Sequence, residues 1–68
     1  MNRVAYYRRM QSLTQKQLAD MIGVSSSAIA MYETHRRLPN VVFAKRMASV
    51  LKVNISALYP DDDFSISK

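Results

Sequence analysis

One glycine, Gly23, separates two complete helix-start signals, and that arrangement constrains the chain more than any other feature of its sequence. Thr14 followed by Gln17 has the spacing of a capping box, and Leu13 with Leu18 forms the matching hydrophobic staple, so a helix begins at Gln15. Gly23 ends it, because glycine takes the left-handed conformation of a helix C-terminus without steric cost. Ser25 is the next N-cap, with Val24 and Ile29 as a second staple, and that helix runs to about Glu33. Two helices thus flank a turn of about three or four residues.

The remaining segments also repeat at helical spacing. Residues 3 to 11 read as a first helix with Val4 and Tyr7 facing inward. Asn40, after Pro39, caps a helix from Val41 to about Leu51 whose Val41, Ala44, Met47, Ala48 and Leu51 form one buried stripe. Asn54 starts a last short helix, stapled by Val53 and Leu58 and ended by Pro60. The expected fold is all-α, with one domain over residues 1–60 and a short acidic C-terminal tail over 61–68. A chain of 68 residues is too short for a second core. With no cysteine to form a disulfide or bind zinc, helix packing or dimerisation must supply the stability.

Charge is distributed unevenly. Residues 1 to 60 hold nine Lys or Arg against Asp20 and Glu33, a balance of +7, whereas residues 61 to 68 hold Lys68 against Asp61, Asp62 and Asp63. A basic folded part favours a polyanionic partner such as nucleic acid. The longest apolar run, Ala28 to Tyr32, is five residues, too short for a signal-peptide core or a membrane span. A cytoplasmic, nucleoid-associated protein is expected, without a membrane partner.

The second helix of the pair divides sharply into faces. Measured from Ser26 at about 100° per residue, Ser27 lies near 100°, Ala30 near 40° and Met31 near 140°, while Ala28, Ile29 and Tyr32 fall between about 200° and 300°. One side is core. The other is small and carries no Lys or Glu, which suits close approach to base edges and thymine methyl groups better than simple wetting.

The run Leu13-Thr14-Gln15-Lys16-Gln17-Leu18-Ala19-Asp20-Met21-Ile22-Gly23-Val24-Ser25 resembles the L-T-Q-x-x-L-A-x-x-x-G-V-S of the prokaryotic and phage Cro and repressor type of helix-turn-helix regulator, also called the xenobiotic-response-element family. Ile29, Glu33, Pro39, Ala48, Leu51, Val53 and Leu58 extend the resemblance over residues 3 to 59. It implies a compact, lambda-repressor-like five-helix bundle that binds operator DNA, usually as a symmetric dimer. It places Ser26, Ser27, Ala30 and Met31 at base edges, and Gln15 and Lys16 with Ser25 at phosphates. The segment Thr34 to Leu38 corresponds to a phosphate-gripping loop, here with Arg36 and Arg37. Arg8 and Glu33 fall where the family forms a buried ion pair between first and third helices. Two departures stand out. Where the family often has Asn-Gly after the glutamate, this chain has Thr34-His35, and none of its base-reading residues can make a bidentate hydrogen bond to a purine.

No residue set supports catalysis or a metal. There is no thiol, no Gly-rich phosphate loop, and a lone His35 that suits a helix C-terminus through the macrodipole. No cofactor or small-molecule ligand is implied. The expected function is a sequence-specific, double-stranded DNA-binding transcriptional regulator, a repressor, on a palindromic operator. Two other readings compete with it: an antitoxin-like or adaptor module whose main partner is a protein, and a nonspecific nucleic-acid-coating protein. Only eight residues follow Pro60 to hold a protein partner. Ile55, Tyr59, Phe64 and Ile66 are left without an evident intramolecular place, and the resemblance points to the loop Lys52 to Ile55. A homodimer interface of Lys52, Val53, Ile55, Tyr59 and Phe64 is expected.

Overall fold

The left-handed turn between the two capped helices is formed as the sequence requires. In the computed structural model, which describes residues 2–60, α1 spans Val4–Met10, α2 Gln15–Ile22, α3 Ser26–Glu33, α4 Val41–Leu51 and α5 Ile55–Leu58, and no strand occurs among the described residues. Gly23 has φ 85° and its N–H donates to the Ala19 carbonyl at 2.8 Å. A Cβ there would lie 3.7 Å from Arg46 Nη1, ordinary van der Waals contact. The backbone angle, not lack of space, calls for glycine.

The caps explain the helix starts. Thr14 Oγ1 accepts from Gln17 N at 3.0 Å while Gln17 Oε1 accepts from Thr14 N at 2.8 Å, which closes the capping box. Ser25 Oγ accepts from Ala28 N, and Asn40 Oδ1 from Phe43 N. Asn54 occupies the N-cap position of α5 without a side-chain bond; α5 is held instead by packing around Leu58. The start of α1 is capped by Asn2, whose Oδ1 accepts from Val4 N.

Among the described residues, three other than glycine take the left-handed conformation: Ser12, His35 and Lys52, at φ 57°, 61° and 61°. Each costs about 1–2 kcal/mol relative to a right-handed backbone. In return each lets the chain close a helix end. Past α4, Val53 N donates to Ala48 O, and past α3, Arg36 N donates to Met31 O at 2.9 Å. His35, at φ 61°, therefore adopts the left-handed geometry that a glycine takes without steric cost.

The core lies where α2, α3, α4 and α5 meet under α1. Val4, Leu18, Ile22, Ile29, Met47, Leu51 and Leu58 are fully buried. So is Tyr59, at 0% exposure. This corrects the expectation that Tyr59 lacks an intramolecular place: the chain turns inward after α5, and Tyr59 N donates to Ile55 O. Val53 and Ile55 are half-buried and pack against the same core. The chain ends of the fold are tied together by Arg3 N donating to Leu58 O at 2.8 Å.

Candidate nucleic-acid interface

The α2–α3 pair presents one side of α3 outward. Ala28, Ile29 and Tyr32 are buried, Ser26 and Ser27 are exposed, and Ala30 and Met31 are half-buried. The third helix thus separates its faces along its whole length. Ala30, Met31, Thr34 and Arg36 line a shallow hollow of about 280 Å³ at its C-terminal end.

Behind that face lies a charged cluster. Arg8 Nε donates to Glu33 Oε2 at 2.5 Å, with side-chain exposures of 10% and 7%, so the pair is largely removed from water. Arg8 Nη1 also donates to the Leu13 carbonyl, which ties α1 to the turn before α2. Gln15 Nε2 donates to Glu33 Oε1 at 2.9 Å. One carboxylate therefore fixes α1, the start of α2 and the end of α3 to one another. The low-dielectric setting strengthens each charge-assisted bond.

The other residues expected at phosphates are placed variously. Ser25 is exposed, and because its Oγ accepts from Ala28 N, its hydroxyl proton remains available as a donor. Lys16 is exposed and 3.5 Å from Asp20 one turn along α2, a pair that solvent weakens. Arg36 and Arg37 are exposed on the loop after α3. Thr34 differs from expectation. Its hydroxyl donates to Ala30 O at 2.9 Å, and its N–H goes to the same carbonyl, so in this geometry Thr34 has no donor directed at a phosphate. The cause is local, since threonine in the last turn of a helix bonds back to the carbonyl four residues earlier.

Two side chains that position the site were not singled out by sequence. Asn2 Nδ2 donates to Tyr32 O at 2.7 Å, so the residue that caps the start of α1 also holds the end of α3. Arg46 Nη1 donates to Ile22 O at 3.2 Å, capping α2 from α4, and its guanidinium lies 5.5 Å from the Phe43 ring centroid. Neither has a local sequence signal, because both bonds join residues more than twenty positions apart.

At the expected dimer surface Lys52 is exposed and Val53 and Ile55 are half-buried, while Tyr59 belongs to the core. Phe64, Ile66 and the rest of the acidic tail lie outside the described residues. Among the described residues no group of three His, Cys, Asp or Glu could hold a metal ion, and no helix is long and apolar enough to cross a membrane.

Comparison with known proteins agrees with this geometry. The profile of a helix-turn-helix family matches residues 4–58, the span from the start of α1 to the end of α5. An uncharacterized HTH-type transcriptional regulator of Methanocaldococcus jannaschii is 34% identical over 64 residues, which cover 91% of this chain and 97% of that protein. With the capped α2–α3 pair, its glycine turn and the sorted faces of α3 in place, the chain belongs to the Cro and repressor type of helix-turn-helix family.

Proposed function

We propose that this protein is a sequence-specific, double-stranded DNA-binding transcriptional regulator that lays α3 in the major groove and represses by occupying a palindromic operator as a dimer. The observation that carries the reading is the outward face of α3. It is free of charge, with a donor from Ser25 at one end and from Arg36 and Arg37 at the other. That is the layout of a reading helix flanked by groups that grip phosphates. The relative's description as an HTH-type transcriptional regulator supports it.

Two copies are favoured by size. The described residues span 29 Å at their longest, so a single α3 reads only part of the roughly 34 Å repeat of one DNA turn. An isologous contact through Lys52, Val53 and Ile55 would set two reading helices on successive major grooves of one DNA side.

Selection of bound sequences from a random duplex pool tests this. The expected product is an inverted repeat bound about 10³-fold or more above random duplex, with two chains per duplex by sedimentation equilibrium. Equal affinity for every duplex would overturn sequence reading, and a 1:1 complex at saturating protein would overturn the dimer.

Arg36→Ala and Arg37→Ala are expected to weaken operator and random DNA alike, each lowering the slope of log K against log salt by about 1. Salt titrations by fluorescence anisotropy measure it. A changed base preference in these variants would mean that the loop reads sequence.

A further inference from the structure

The hollow at the end of α3 has a chemistry that narrows what it can read. Its lining is formed by the Ala30 methyl, the Met31 thioether chain, Thr34 and Arg36. Thr34 Oγ1 donates to Ala30 O at 2.9 Å and lies 3.4 Å from Met31 O, so its hydroxyl is turned onto the helix rather than offered outward. The one strong donor left on the rim is the exposed guanidinium of Arg36. A hollow of about 280 Å³ lined by Ala30 and Met31 beside Thr34 and Arg36 admits the edge of a base; its apolar part has no donor and acceptor pair for adenine, and among its lining residues the Arg36 guanidinium alone has the paired donors that a guanine edge takes.

In the major groove the one apolar group at a base edge is the methyl on C5 of a pyrimidine. We propose that this hollow receives the 5-methyl group of thymine, and that Ala30 and Met31 make methyl presence, rather than a hydrogen-bond pattern, the feature read at that position. The proposal rests on the reading of α3 as the groove-entering helix. Met31 is suited to the role because its unbranched, polarizable side chain adapts its shape to what it covers. Arg36 on the rim is suited to the phosphate beside the same nucleotide. A pyrimidine without the methyl leaves the hollow unfilled, and its lining atoms then lose their contacts on that side.

The consequence extends beyond thymine. 5-Methylcytosine presents the same methyl at the same place, so cytosine methylation at the contacted position should strengthen binding rather than block it.

The test uses the full chain and a duplex taken from the random-pool selection, with each thymine replaced in turn by deoxyuridine. Burial of one methyl corresponds to about fourfold in affinity. Loss of about that size is expected at one or two positions in each half-site, with the other thymines silent. At the sensitive position, a C·G pair should gain about fourfold when its cytosine is 5-methylated. Met31→Ala should erase the thymine–deoxyuridine difference at that position, so that both duplexes bind with the same affinity. The DNA substitutions need no altered protein, so a failure of Met31→Ala to fold would not spare the proposal. A selected duplex that stays preferred while every deoxyuridine is neutral would overturn methyl reading and leave α3 as the reader by another contact. If no duplex is preferred over random DNA, the assignment of α3 falls, and methyl reading with it.

Discussion

Glu33→Ala is expected to lower stability by about 3–5 kcal/mol, because it leaves the Arg8 guanidinium buried with no counter-charge. In a domain of this size that corresponds to a melting temperature lower by about 15 °C or more. The carboxylate accepts from Arg8 Nε and from Gln15 Nε2, so its loss also frees the start of α2 from the end of α3. The cost comes from the orphaned charge rather than from any large net gain of the pair. Removing both charges as Arg8→Met with Glu33→Leu should therefore recover most of the loss. Thermal melts followed by circular dichroism check both. A Glu33→Ala melting temperature within a few degrees of the parent would show that Arg8 finds water or another partner.

Ser27→Glu should separate stability from binding. Ser27 is exposed in the first turn of α3, where a carboxylate interacts favourably with the helix dipole, so melting should be unchanged or slightly raised. With α3 in the major groove as proposed, the same carboxylate would face base edges between two rows of phosphates. Like charges brought together at an interface cost several kcal/mol, about a hundredfold or more in affinity. Anisotropy titrations of operator duplex, beside melts of the same samples, measure the two effects. Tight operator binding by Ser27→Glu would place the DNA on another face.

Much of the fold is legible because its boundaries are set by local chemistry. Thr14 with Gln17, Ser25, Gly23 and Asn40 each satisfy backbone groups within four residues of themselves, and the helices start and stop where these residues place them. Faces are equally legible on α3, where the period of the helix alone sorts Ala28, Ile29 and Tyr32 from Ser26, Ser27, Ala30 and Met31. Tyr59 marks where such reasoning stops. It follows a four-residue helix, too short for periodicity to assign a side, and its burial depends on how α5 turns against the core.

Thr34 shows the same limit at the site. Its residue type fits a phosphate ligand, but the helix carbonyl at Ala30 takes its proton first. Asn2 and Arg46 complete the picture from the other direction, since each bonds to a carbonyl at the end of a distant helix. Helix spacing, the caps at Thr14, Ser25 and Asn40, the turn at Gly23 and the uncharged face of α3 are all readable along the chain, because they rest on interactions spanning a turn or two of it. It took the packing of the helices to make Tyr59 core, to join Arg8 and Gln15 through Glu33, and to bring Ala30, Met31, Thr34 and Arg36 around a shallow hollow. Those arrangements depend on the positions that packing gives to whole helices, and no spacing along the chain encodes them.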